Sequence, residues 1–209
     1  MEIQRIDTYR DSRFSQRVLN QHGCFLVGDV PYEVEVVSGQ EAVIRGRNPD
    51  MFSKIIEEFR FYAPHITVFF NENRQIVREF PPANVFQVRL EDIQPSQFYV
   101  DEDKLEAVST FIRCGEDITV QVMPQGQRYI SLDGHTRLFY AAKMGWTSVN
   151  AVMAESGDSI YGFVEEAITR NIRTPYDLKL LNHREYEEKW NQFCDDYFLE
   201  RAGKNGEAV

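Results

Sequence analysis

A chain of 209 residues with 43% hydrophobic and 13% aromatic content can bury a substantial core, which implies one globular domain or two small ones. Its formal net charge of −10 argues against DNA as a partner, because non-specific nucleic-acid affinity comes mainly from Lys and Arg neutralising phosphates. No apolar run approaches the roughly 18 residues a membrane span needs, and Met1-Glu2-Ile3-Gln4-Arg5 lacks the apolar core of a signal peptide, so a soluble cytoplasmic protein is expected.

In chain order, residues 1–19 read as an N-terminal arm, mobile or loosely docked, that carries Arg5, Arg10, Arg13 and Arg17. Residues 20–82 read as a small α+β unit. Strands are expected at Cys24–Val27, Tyr32–Val37 and Ala42–Arg45, then a helix opened by Pro49-Asp50, then a hairpin of Ile66–Phe70 and Gln75–Phe80. Met51, Ile55, Phe59 and Tyr62 share one stripe of that helix, with Ile56 beside them. The pattern is β-β-β-α-β-β, and Pro81-Pro82 is the joint to the second unit. Phe59, Phe61, Tyr62, Phe69 and Phe70 are either ordinary core or the lining of an aromatic ligand site.

Residues 83–155 form the second unit. Val85–Leu90 is a strand, Pro95 breaks the chain, and Asp101 is placed to cap a helix that turns Leu105, Val108 and Ile112 inward and ends at Gly115. Strands Ile118–Met123 and Tyr129–Leu132 flank the turn at Pro124-Gln125-Gly126, and Ser148–Met153 is a further strand. Residues 156–209 read as a helical extension, with helices at about Ser159–Ile172 and Thr174–Glu200, the second broken near Asn182-His183. Arg170-Asn171 and Asn182-His183-Arg184 either cap this tail or close over a small substrate. Cys24, Cys114 and Cys194 have no Cys-x-x-Cys spacing and read as reduced thiols, and the four histidines show no paired metal spacing. Oxygen-held Mg²⁺ is the metal that the sequence invites.

Most chemical information lies between the strand Tyr129–Leu132 and the helix announced by Leu138, Ala141, Ala142 and Met144, which Gly145 ends. The turn is Asp133-Gly134-His135-Thr136-Arg137. A helix starting there aims the unpaired N–H groups of its first turn, and the positive end of its dipole, at one spot, which suits an anion and phosphate above all. Gly134 allows close approach and Arg137 can add a two-pronged contact, whereas Asp133 would repel bare polyphosphate unless Mg²⁺ lies between them. The plain alternative is an N-cap at Asp133, a surface His135 and a solvated Arg137.

Ile93-Gln94-Pro95, Asp103-Lys104-Leu105, Asp117-Ile118-Thr119-Val120 and Leu132–Arg137 with Ala141-Ala142 and Gly145 resemble the ParB/sulfiredoxin superfamily over roughly residues 85–155. There the corresponding turn is a nucleotide-phosphate site, and Asp133–Arg137 is most similar to the Asp-Gly-His-His-Arg form of the free serine kinases, departing at Thr136. The resemblance implies an α+β fold with a ParB/sulfiredoxin-like domain, preceded by the small β-β-β-α-β-β unit and followed by C-terminal helices. It also implies ATP or ADP, with CTP a third candidate, held by Gly134, His135, Thr136 and Arg137. Asp133 would hold Mg²⁺, with Asp133 and His135 acting in catalysis on a small, serine-like hydroxyl compound.

The base for such a kinase is the departure from the pattern. The family's serine kinases place a glutamate just after the proline of the Ile-x-Pro segment, whereas here Ser96-Gln97-Phe98 follows Pro95, and Gln97 cannot take a proton. A non-catalytic, nucleotide-responsive regulatory protein needs no base and stands as the alternative. It would not be a partition-type DNA binder, since no helix-turn-helix or basic stripe follows the turn. His135 occupies the position of the sulfiredoxin nucleophilic cysteine, which excludes that chemistry.

Overall fold

The computed structural model describes the backbone of residues 2–206 and the side chains of residues 2–199. It is an α+β protein with two larger sheets and a helical tail. The first sheet runs in sequence order through β1 (Ile3–Ile6), β2 (Cys24–Val27), β3 (Val30–Val36), β4 (Glu41–Gly46), β5 (Val68–Phe70) and β6 (Ile76–Glu79). Neighbours are antiparallel except β4 and β5, and that parallel pair is made possible by the crossover helix α2 (Phe52–Tyr62). The helical spacing of Phe52, Ile55, Ile56 and Phe59 puts all four against Val34, Ile44 and Phe69 of the sheet. Phe59 and Phe69 are therefore core, whereas Phe61 and Tyr62 are exposed.

Residues 1–19 depart from the expected arm. β1 pairs along β2 from Ile3 with Val27 to Ile6 with Cys24, and α1 (Gln16–Asn20) packs Val18 and Leu19, with Phe14, on Cys24 and Leu26. Four residues reading Ile-Gln-Arg-Ile carry no alternation, so the strand exists only because β2 offers it an edge.

Segment 80–84 leads to a second sheet. Its strands are β7 (Val85–Arg89), β8 (Ile93–Pro95), β10 (Thr119–Gln125), β11 (Arg128–Ser131) and β12 (Ser148–Met153), in the order β7-β12-β10-β11-β8 with β10 central. A smaller parallel pair joins β9 (Tyr99–Asp101) to β13 (Lys179–Leu181). Helix α3 (Glu102–Ser109) starts at Asp101, whose carboxylate accepts the Asp103 N–H at 3.0 Å. It ends before the expected Gly115, because Thr110 Oγ1 donates to the Ala107 carbonyl and the N–H groups of Thr110 and Ile112 turn back onto Ala107 and Val108. Gly115 instead opens a short 3₁₀ turn against Ser148, where a Cβ would meet the Ser148 carbonyl oxygen at 2.6 Å. Helix α4 (His135–Lys143) crosses from β11 to β12.

The tail departs from the expected helix pair as well. After α5 (Ser159–Thr169), residues 174–182 are not α-helical: Pro175–Asp177 makes one 3₁₀ turn, the Asp177 carboxylate gathers the N–H groups of Arg173 and Thr174, and β13 then takes the free edge of β9. The last helix begins only at Asn182, whose side chain accepts the Glu185 N–H. It runs as α6 (His183–Tyr186), a π-helical turn over Glu187–Asn191 and α7 (Gln192–Gly206). Asn182 and His183 thus cap and anchor the tail, with His183 Nδ1 2.8 Å from the buried Asp101 carboxylate.

Phe98 is the anchor of this tail. Its ring is 1% exposed, lies 4.8 Å from Trp190 and 5.1 Å from Phe193, and carries the Arg170 guanidinium at 4.4 Å. Truncation to alanine removes a whole buried ring, so Phe98→Ala is expected to lower unfolding stability by about 3–5 kcal/mol in denaturant titration. A loss under about 1 kcal/mol would mean that the tail packs without this anchor.

Candidate functional site

The Asp133–Arg137 turn sits where β11 passes into α4, and β10 lies beneath it. Gly134 adopts φ +79°, a left-handed conformation that side chains resist, and a Cβ there would meet Val120 Cγ1 at 2.7 Å. Glycine is therefore needed both for the backbone conformation and for the contact. Arg137 reaches back over the turn, donating to the Thr119 carbonyl at 2.6 Å and to the Asp133 carboxylate at 2.8 Å. Burial alone would raise the Asp133 carboxyl, but Arg137, the Gly134 N–H and Arg5 overrule it and hold the group below the ordinary carboxylate range. Asp133 is accordingly an anion paired to Arg137, and Gly134 rather than Asp133 occupies the N-cap position.

His135 is not at the surface; it is 7% exposed. The Ser96 N–H points at its Nε2 from 3.3 Å, and Ser131 Oγ lies 3.1 Å from the same atom. Ser96 Oγ, 3.2 Å from Nε2, donates its own proton to the Ser131 carbonyl at 2.7 Å. These partners make Nε2 an acceptor and assign the ring proton to Nδ1. Burial, reinforced by Arg137 and opposed by Asp133, pushes the imidazole down to about 4. His135 therefore ties the turn to the end of β8, and its Nε2 is already engaged there.

The turn opens onto a cleft of about 550 Å³ between the two sheets. A cavity of this size lies in the range that admits a small ligand. Its second-sheet wall is Gly134–Arg137 with Gln97 and Lys104, and its first-sheet wall includes Arg5, Tyr9, His22, Tyr62 and His65. Gln97 donates to Tyr186 Oη at 3.1 Å and to the Tyr99 carbonyl. Across the cleft, Tyr9 Oη lies 2.7 Å from His22 Nε2, and Asp7 holds Arg5 at 2.9 Å and His22 Nδ1 at 3.4 Å. Cleft residues Arg5, Tyr9, His22, His65, Lys104 and Tyr186 were outside the sequence expectation for the site, and no local pattern marks them as a set.

Metal-binding potential is limited. Among the described residues, the grouping of three potential ligands is Asp101, Asp103 and His183, away from the turn. Asp101 already accepts the Asp103 N–H and holds His183, so these contacts serve the helix cap and the tail. Asp133 offers a single carboxylate, which fits Mg²⁺ only where phosphate oxygens and water complete the shell.

Fold and cleft together define a two-sheet α+β protein with a mixed-charge cleft. No family model matches the chain, and no curated protein matches it. Among solved structures the chain is similar to protein Atu1540 from Agrobacterium tumefaciens, at 16% identity and a TM-score of 0.33, over 46% of this chain and 61% of that one. The match thus spans about three fifths of that protein's length, and a likeness this low bears no functional weight. Among the described residues, no helix is long and apolar enough to cross a membrane.

The buried neutral histidine has a measurable consequence. Above about pH 6.5 His135 is neutral whether folded or unfolded, and between about 6.5 and 4 the unfolded chain binds the extra proton, so stability falls as pH drops. Denaturant titrations at pH 7 and 4.5 are expected to differ by roughly 2–3 kcal/mol from this group. His135→Asn should be less stable at pH 7 but lose less on acidification; an unchanged pH dependence would refute the buried neutral assignment.

Proposed function

We propose that this chain binds a phosphate-bearing nucleotide in the cleft, with the phosphates at the amino end of α4. The observation that carries the reading is that the helix end, with glycine in place of a bulky cap, opens onto a cleft of nucleotide size. First-turn N–H groups lack carbonyl partners within a helix, and the dipole adds positive potential at the same point. Arg137 is pre-positioned by the Thr119 carbonyl and can exchange part of its contact with Asp133 for a phosphate. ATP, ADP and CTP are the candidate ligands, with Mg²⁺ bridging Asp133 and the phosphates.

The proposed role is binding alone, as in a nucleotide-responsive regulatory protein, because three of the four carboxylates that line the cleft are already engaged. Asp7 is held by Arg5 and His22, Asp133 by Arg137, and Asp117 by the N–H groups of Arg113 and Cys114. Gln97 cannot accept a proton from a substrate hydroxyl. Phosphoryl transfer to a small, serine-like hydroxyl compound is the second reading, favoured by the placement of Asp133 beside the helix donors where a phosphate-bound Mg²⁺ would sit.

Calorimetry with ATP, ADP and CTP, each with and without Mg²⁺, is expected to give saturable binding for at least one nucleotide. Arg137→Ala should weaken it by at least about tenfold, or 1.4 kcal/mol, with the melting temperature followed as a control on folding. No binding at millimolar nucleotide would end the reading. Incubation with nucleotide, Mg²⁺ and a pool of hydroxyl metabolites should yield no phosphorylated species by mass; a product would transfer the assignment to the kinase.

A further inference from the structure

A phosphate site before α4 occupies only one wall of the cleft, and the other wall is built from residues that phosphate binding leaves without a task. Residues of β10 bring the two walls together. Thr119 holds Arg137, Val120 lies under Gly134, and Gln121 Nε2 donates to the carbonyls of Phe61 at 3.3 Å and Tyr62 at 3.1 Å. The end of α2 is thereby clipped to the strand that underlies the phosphate turn. His65, just beyond that end, reports the same proximity: burial, with Arg137 acting in the same direction and Asp133 against it, pushes its imidazole down to about 4.

Arg5 and Tyr62 form the distinctive surface of this wall. The guanidinium carbon of Arg5 lies 3.8 Å from the centre of the Tyr62 ring, a stacked, flat and cationic pair. Both residues line the cleft, and Tyr62 is 41% exposed. Arg5 donates from Nη2 to Asp7, which restrains the guanidinium over the ring. A nucleobase supplies what this wall lacks, a π-face to lie against the flat cationic pair.

We infer that the Arg5–Tyr62 pair is the nucleobase platform of the cleft, so that the six-stranded sheet unit binds the base while the turn before α4 holds the phosphates. This rests on the proposed nucleotide binding and narrows the ligand to a nucleoside di- or triphosphate, as opposed to a sugar phosphate or inorganic polyphosphate. It also gives the six-stranded unit a role, because a ligand touching both walls joins two units that have separate apolar clusters and are bridged by polar contacts such as Gln121 to Tyr62 and Asn20 to Thr110.

The test compares MgATP with Mg-tripolyphosphate by calorimetry on the full chain. Arg5→Lys keeps the charge facing Asp7 but loses the planar stack, and Tyr62→Leu keeps apolar bulk but loses the ring. Each is expected to weaken MgATP by about tenfold or more while leaving tripolyphosphate affinity unchanged, and Arg137→Ala should weaken both ligands. Wild-type protein that binds tripolyphosphate as tightly as ATP, or variants that weaken both ligands equally, would overturn the platform and leave the phosphate site standing. Failure of nucleotide binding itself looks different: neither ligand would bind the wild type, and the platform would fall with it.

Discussion

The structure depends on the central strand of the five-stranded sheet, and within it on Thr119, Val120 and Gln121. Their backbone pairs on one side with β12 and their neighbours pair with β11 on the other, so the strand is fixed before any cleft residue is placed. From that fixed strand, Thr119 restrains Arg137, Val120 forbids a side chain at Gly134, and Gln121 holds the end of α2. A strand buried in the middle of a sheet has little freedom to shift, and what it holds is correspondingly well positioned. The cleft is thus defined by one rigid element with two walls attached to it.

Electrostatics in the cleft obey the same logic of restraint. The chain carries net negative charge, yet the turn before α4 concentrates helix-end N–H groups and a guanidinium at one point. Asp133 offsets the guanidinium and keeps it extended over the turn. His135 adds no charge, because burial keeps it neutral, and its hydrogen bonds to Ser96 and Ser131 secure the turn instead. Two residues that look alike as candidates in the sequence, one acidic and one basic, therefore differ in kind: one is a charge at the cleft and the other a buried strut.

The tail is attached by a different interaction, a set of aromatic rings around Phe98 supported by two polar ties, one buried and one part-buried. Gln94 donates to the carbonyls of Pro95 and Ile172, and Asp101 holds His183. Because Phe98 precedes β9 and Asp101 ends it, the small β9–β13 pair, the start of α3 and the last helix are all set by the few residues after Pro95. Gln97 lies in this segment and its side chain bonds Tyr186 of the tail, so the tail reaches the rim of the cleft.

Local patterns determined a good part of this in advance. The runs Cys24–Val27 and Ser148–Met153 are strands because β-branched and apolar residues cluster between turn residues, α2 follows its stripe of Ile55 and Phe59, and Asp101 caps because a short carboxylate precedes the helical spacing. The α+β class and the position of the turn before α4 came from the same local rules. Tertiary structure decided what those rules cannot reach. β1, β8, β9 and β13 are three or four residues long and exist because a neighbouring strand offers them an edge, which no window of sequence contains. Equally, Arg5 lies in a segment that reads as a loose arm, and Tyr62 in a helix stripe that reads as core, yet they stack at 3.8 Å in a cleft whose other wall is Gly134–Arg137. A cleft built from residues so far apart along the chain has no local signature, because contact between its walls is made only when the two sheets are packed.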